Sequence, residues 1–156
     1  MEIEIRNFDI NDAAAAAELY FASIRQGTGR HYDRAQRQAW APEVPNTAVW
    51  GERLAKNITL MADDAQGLAG FISLRPDGYL DLAFVRPDLM GKGVAKRLYL
   101  RIEQDALARG LTALSTDASE LARSFFEGQN WQVVAKQHPV RSGIRLTNYQ
   151  MTKTLA

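Results

Sequence analysis

The sequence predicts one α/β domain of the α+β kind, built around a central twisted mixed sheet of about seven strands flanked by helices. Three observations predict it. Residues 58–86 fall into short apolar runs separated by Asp-Asp, Gly and Pro-Asp-Gly turns, the pattern of an antiparallel meander. Strand and helix patterns then alternate through the second half, which adds parallel pairing to the sheet. No Gly/Ser/Pro-rich linker divides the 156 residues and no repeat recurs, so a single domain over 1–156 is expected.

Ile3 and Ile5 alternate with charged residues and read as a first strand, not as a signal peptide. Asn11 or Asp12 can cap the next helix, whose Ala13–Ala17 tract is strong helix former; it continues through Leu19, Tyr20 and Ile24 to about Gly27 or Gly29. Residues 30–57 suggest one or two shorter helices broken around Pro42 and Pro45. Strands over 58–62, 67–74 and 78–85 form the meander. A helix over about 91–109 carries Val94, Leu98, Ile102 and Ala106 as its apolar stripe, and Gly110 ends it. Leu111–Ser115 reads as a strand. Asp117 followed by Glu120 resembles a capping box for a helix to about Gln129. Two closing strands, 131–135 and 145–153, complete the order.

The balance of 19 basic and 18 acidic residues leaves a net charge of +1, too even for a nucleic-acid footprint. No apolar run reaches the roughly 20 residues of a membrane helix. The absence of cysteine excludes disulfides, thiolate metal sites and a cysteine nucleophile, and fits a reducing cytoplasm. His31 and His138 stand apart without an acidic cluster, so no metal is expected. The partner expected is a small molecule or a single protein side chain.

The segment Phe84-Val85-Arg86-Pro87-Asp88-Leu89-Met90-Gly91-Lys92-Gly93-Val94-Ala95 ends a strand, stops pairing at a proline and puts two glycines before a helix. Glycines let a ligand approach backbone N–H groups, which converge at a helix N-terminus where the dipole favours an anion. The competing reading is a tight strand–helix turn. It is neither a P-loop nor a Gly-x-Gly-x-x-Gly turn.

This stretch resembles motif A of the GNAT superfamily of N-acetyltransferases, Val-x-Pro-x-x-Gln/Arg-Gly-x-Gly-x-Gly/Ala. Val85, Pro87, Gly91, Gly93 and Ala95 match position by position, and Met90 replaces the usual Gln or Arg. Ala122–Glu127 followed by Asn130-Trp131 is similar to motif B, with Asn-Trp in place of Gly-Phe. Leu146–Met151 is similar to the final strand of a bacterial subgroup of uncharacterised acetyltransferases. The resemblance implies a gap between the strands at 79–86 and 111–115. It further implies acetyl-CoA as donor, with Phe84, Val85, Arg86, Met90, Gly91, Lys92, Gly93, Val94 and Ala95 holding it and the Val85 N–H polarising its carbonyl. Ser119 and Ser124 are further candidates for cofactor contact, or merely caps and solvated surface.

The family often uses a carboxylate on the fourth strand as base. Asp81 is the candidate, its alternative being a sheet carboxylate paired with an arginine. The family's motif B tyrosine is Phe126 here, so the acid falls to Tyr149 first, Tyr32 second, or water; His138 is a further titratable group near pH 7. Tyr32 and Trp40 lie where the acceptor usually enters, as substrate contacts or as core. The implied activity is direct acetyl transfer to a primary amine of a small molecule or protein, by a cytoplasmic monomer or homodimer without nucleic acid, membrane or metal. A non-catalytic acyl-CoA-binding or regulatory module is the alternative.

Overall fold

The computed structural model describes residues 2–155; Met1 and Ala156, the ends of the expected domain, lie outside the described residues. The elements are β1 (Glu4–Asn7), α1 (Ala13–Gly27), α2 (Arg34–Trp40), α3 (Thr47–Lys56), β2 (Ile58–Asp64), β3 (Gly67–Leu74) and β4 (Leu80–Val85) in the first half. Then follow α4 (Val94–Ala108), β5 (Ala113–Ser119), α5 (Glu120–Gly128), β6 (Gln132–Gln137), β7 (Val140–Arg141), β8 (Ile144–Arg145) and β9 (Asn148–Thr154). Among the described residues no helix is long and apolar enough to cross a membrane.

Alternation of side chains along the meander builds two cores. In β2, Leu60 and Ala62 face one layer and Met61 the other. Leu98, Tyr99 and Ile102 of α4 and Phe126 of α5 fill the first layer. Ala16 and Leu19 of α1, with Trp50 and Leu54 of α3, fill the second against Phe71 and Leu82. Both faces of the meander are therefore covered, which is why its strands read as apolar runs rather than strict alternation.

The sheet is two pieces. Strands β1-β2-β3-β4 form one antiparallel ladder and β5-β9-β6 another. They meet at a single parallel bridge, Tyr79 to Ser115, where Ser115 N–H donates to Gly78 C=O at 3.0 Å. Thr116 Oγ1 adds a bond to Leu80 C=O at 2.8 Å. Past Leu80 no ladder joins β4 to β5 among the described residues. Gly78 is needed at this contact, because its φ is +96° and a Cβ would lie 2.7 Å from Ala113 C=O. The parallel approach of 78–86 and 111–116 is as expected, and the strands part almost at once.

Local differences from the sequence reading have physical causes. The first helical turn is a short 3-10 segment, Ile10–Asp12, whose side-chain cap is Asp9; Asp12 stands at the N-cap position of α1 but makes no side-chain cap bond there. The stretch from residue 91 to 93 stays out of α4 because Gly91 and Gly93 hold positive φ. Strand β5 runs on to Ser119, which itself caps α5 by accepting from Ala122 N–H at 3.1 Å. Asp117, read as the cap, is instead a strand residue. The β7–β8 hairpin was not read in the sequence; two residues per strand leave no period to detect.

Arg6 ties β1 to the first helix and to β2. Its guanidinium bonds Asp12 at 2.8 Å and Asp63 at 2.6 Å, and the Arg6 bonds hold the Asp12 carboxyl below its ordinary value. A carboxyl depressed in the fold stabilises fully above its unfolded pKa of about 4 and loses that contribution as pH falls through the folded value. The melting temperature should therefore drop below about pH 4. Arg6→Gln should flatten that drop while costing about 1 kcal/mol or less at neutral pH. Parallel pH curves for the two proteins would refute this role of Arg6.

Candidate active site

Where β4 and β5 part, two chambers open and share Trp40, Phe84 and Ser119. The larger, about 460 Å³, runs between α4 and α5. Ala83, Phe84 and Val85 form its strand wall, Val94 and Leu98 one helical wall, and Ala122, Phe125 and Phe126 the other. Its lining is mostly apolar, as suits a slender organic arm.

The strand wall offers a free backbone edge. Arg86 N–H donates to Ala69 C=O at 2.8 Å, and Gly70 stands opposite Val85. In an antiparallel pair the bonding direction alternates, so Val85 turns its N–H and C=O away from β3, into the gap. That N–H is a positioned donor with no strand beside it.

At the outer end lies the glycine turn. Gly91 has φ +77° and Gly93 φ +90°, and a Cβ at either would meet nothing within 4 Å. Both glycines therefore border open space and adopt a conformation that side-chain-bearing residues avoid. Arg97 N–H finds Gly93 C=O at 3.2 Å; the amides of Val94, Ala95 and Lys96 before it are the orphan donors of the α4 N-terminus. Lys92 N–H is already bonded to Leu89 C=O at 3.2 Å, and Met90 N–H to Pro87 C=O at 3.4 Å. The amides left without a protein acceptor among the described residues are therefore those of Gly91, Gly93, Val94, Ala95 and Lys96. Met90 lines the chamber through its side chain, which packs where a Gly27 Cβ would have to lie.

The smaller chamber, about 300 Å³, is polar. Asp81 accepts from Arg53 Nε at 2.8 Å and Nη2 at 2.7 Å, and from Asn57 Nδ2 at 3.3 Å. Those bonds keep the Arg53 guanidinium protonated to still higher pH. Asp117 accepts the Tyr79 hydroxyl at 2.7 Å; burial first, and then Asp117, push the Tyr79 phenol up to about 12. Tyr20 and Arg141 also border the space. Burial raises the Tyr20 phenol, and nearby Arg141 offsets part of the rise.

The structure gathers some predicted residues and disperses others. Phe84, Val85, Met90, Gly91, Gly93, Val94, Ala95 and Ser119 line the larger chamber. Asp81, Tyr32 and Trp40 line the smaller. Asp81 takes the arginine-paired form, not that of an isolated base in apolar surroundings. Arg86 points elsewhere, to Asp64 at 2.6 Å and Asp88 at 2.7 Å. Lys92 and Ser124 are exposed and line neither chamber. Tyr149 is buried under α5 and donates to Glu120 at 2.8 Å, outside both chambers. His138 is exposed beside Thr147. Sequence reasoning missed Tyr20, Arg53, Tyr79, Asp117 and Arg141, which meet from five separate elements or turns. Alternation gave one usable signal: once β5 extends past Ser115, Asp117 and Ser119 share a face.

Comparison with known proteins places these features in context. The family model of an acetyltransferase (GNAT) domain matches residues 28–153. The uncharacterised N-acetyltransferase YafP of Escherichia coli (strain K12) is 32% identical over 149 residues, covering 96% of this chain and 94% of that protein. A crystal structure of a GCN5-related N-acetyltransferase from Rhodopseudomonas palustris superposes with a TM-score of 0.90 at 34% identity, covering 99% of this chain and 96% of the other. PaiA N-acetyltransferase from Thermoplasma acidophilum, in complex with coenzyme A, shares the fold at TM-score 0.76 and 20% identity, over 99% of each chain.

Tyr32, on the wall of the smaller chamber, fastens the α1–α2 connection to α5 and to the approach to β9. Its hydroxyl donates to Thr147 C=O at 2.5 Å and accepts from Glu120 N–H at 2.9 Å, and the residue is buried. Tyr32→Phe leaves both backbone groups without that partner, at a cost of about 1–3 kcal/mol. Denaturant titration should register it as a lower midpoint with unchanged slope. A loss below about 0.5 kcal/mol would mean that water takes the hydroxyl's place.

Proposed function

The chain belongs to the GNAT acetyltransferase family, and from that premise we propose that it transfers the acetyl group of acetyl-CoA directly to a primary amine of a small molecule or protein. The observation that carries the reading is the pair of chambers meeting at the parted edge of β4. One is apolar and leads to a backbone anion nest; the other is polar and open to an acceptor.

Gly91, Gly93, Val94, Ala95 and Lys96 would hold the pyrophosphate through backbone N–H groups at the α4 N-terminus. The free edge at Ala83 and Val85 would take the pantetheine amides as an added strand. Bound acetyl-CoA supplies an activated acyl carbonyl. The Val85 N–H, aimed into the gap, donates to that carbonyl's oxygen as negative charge builds on it. The acceptor approaches from the polar chamber; a carboxylate takes one proton from its ammonium, the freed nitrogen bonds to the acyl carbon, the carbon–sulfur bond breaks, and the nitrogen's second proton passes to the departing thiolate, directly or through water.

Two carboxylates are at hand. Asp81 is engaged by three N–H donors, whereas Asp117 has only the Tyr79 hydroxyl on Oδ2. Asp117 therefore takes the proton, directly or through water, and Asp81 holds Arg53 in place. Ser119 stands at the junction, and because its Oγ accepts from Ala122 N–H its own proton is free to point at the departing sulfur. Phe126 fills the usual tyrosine position as part of the apolar wall.

Asp117→Asn should lower kcat about 10²-fold or more, as loss of a general base does. CoA affinity should stay unchanged, with Asp81→Asn affecting stability more than turnover. The reverse ranking would return the base to Asp81. The nest is tested separately by calorimetry with CoA. Lys92→Ala removes one exposed charge and should weaken binding about fivefold or less. Gly93→Val puts a branched side chain at φ +90°, a strained conformation facing the ligand, and should abolish measurable binding while circular dichroism stays native. Normal binding by Gly93→Val would remove the anion nest from the account.

A further inference from the structure

We infer that the acceptor is a small zwitterion: an amine that carries a carboxylate or similar oxyanion on the same molecule, as an amino acid does, with Arg141 receiving the anion and Asp117 with Asn148 receiving the ammonium. This names the substrate class of the site proposed above and rests on that reading.

The argument is one of charges left over. Of the ionised groups lining the polar chamber, Arg53 and Asp81 neutralise each other through two short bonds. Asp117 meets a neutral phenol, so its negative charge is not compensated. Arg141 enters no ion pair among the described residues; its guanidinium meets neutral groups, the Trp40 C=O at a long 3.5 Å and the nearby Tyr20 phenol. A chamber of about 300 Å³ therefore keeps one unpaired cation and one unpaired anion on its walls. The complement of that wall is a molecule with both signs of charge.

A second observation is independent of charge. Asn148 lines the same chamber, and its buried Oδ1 has no hydrogen-bond partner among the described residues. Buried acceptors are seldom left bare, and each one asks for a donor. An acceptor's N–H groups supply it. Asn148 pairs with Ser119 across β5 and β9, so this carbonyl lies beside the junction of the two chambers, where the amine must come to meet the acyl group.

The position of Arg141 is built, not incidental. The β7–β8 hairpin turns tightly at Ser142 and Gly143, both at positive φ, and Leu146 N–H closes its base on Pro139 C=O at 2.8 Å. Gln36 of α2 donates to Arg145 C=O at 3.0 Å and fastens the hairpin to the helix that ends in Trp40. An arginine held there presents a planar fork suited to a carboxylate or phosphonate. Tyr20, Trp40 and Phe84 remain as the aromatic wall for the acceptor's side chain. The chamber lies at the low end of small-molecule site volumes, about 300–1,000 Å³, which favours a free small acceptor over a polypeptide.

The test uses the full chain with acetyl-CoA and matched acceptor pairs: phenylalanine against phenethylamine, leucine against isoamylamine, and 2-aminoethylphosphonate against ethylamine. Thiol release and acetylated product are both followed. The acid of each pair should exceed the amine that lacks the anion in kcat/KM by about tenfold or more, since a charge-assisted bidentate contact is among the stronger hydrogen bonds. In Arg141→Ala that ratio should fall towards one through a raised KM for the acids; Arg141→Lys should restore part of it. Plain amines acetylated as well as or better than the acids overturn the inference while leaving acetyl transfer intact. Acetylation of none of the acids overturns it equally. Failure to bind CoA by calorimetry would instead strike at the acetyltransferase reading itself.

Discussion

The whole arrangement depends on how briefly β4 and β5 touch. One parallel bridge at Tyr79 and Ser115, one hydroxyl bond from Thr116 and one from Tyr79 to Asp117 hold the seam. Beyond Leu80 the strands diverge, and the backbone of β4 is left with donors and acceptors that no neighbouring strand satisfies. A sheet interior normally cannot tolerate this, because an unpaired buried amide costs about as much as a lost hydrogen bond. Here the gap opens into the larger chamber, and the unpaired edge at Ala83 and Val85 forms its strand wall.

Keeping such a gap open requires support on both sides of it. The meander is clamped between two cores: α4 packs on one face and α1 with α3 on the other, so β4 cannot swing across to close on β5. The opposite half-sheet has its own wall in α5, where Phe126 packs with Tyr99 and Trp131. A buried network backs that wall: Trp131 Nε1 donates to the Tyr99 hydroxyl at 3.0 Å, Tyr99 donates to Glu103, and Lys153 pairs with Glu103 at 3.0 Å. Tyr32 then links the α1–α2 connection to both α5 and the approach to β9. The halves are thus joined at the seam, through α4 and the core it shares with β5 and β9, and at this tyrosine.

Electrostatics divides the two chambers. The larger has backbone amides at its glycine turn, neither Lys92 nor Arg86 lines it, and Arg86 is paired with Asp64 and Asp88. The smaller relies on side-chain charge, with one pair satisfied internally and two groups left over. Trp40 and Phe84, shared by both, put apolar surface at the junction.

Much of this was legible in the sequence because it is local. The meander's turns, the amphipathic stripe of α4, and the Val85–Ala95 segment each act within about a dozen residues, so periodicity and glycine placement report them directly. The loop's shape was legible for the same reason: the free amides at a helix start depend on chain shape, and two glycines at positive φ encode that shape. The polar chamber was not legible. Tyr20, Arg53, Tyr79, Asp117 and Arg141 come from α1, α3, the turn before β4, β5 and a two-residue hairpin strand, and nothing in their spacing connects them. Partner choice was equally hidden. Asp81 and Asp117 are both acidic strand residues in sequence, yet only the fold brings Arg53 to one and a neutral phenol to the other. Likewise Tyr149 and Tyr32 looked available as proton donors, but packing gave each hydroxyl a fixed partner. The sequence by itself determined the fold and the backbone nest, because local geometry makes both. The tertiary structure alone decided which side chains keep an unspent charge, because that depends on neighbours far away along the chain.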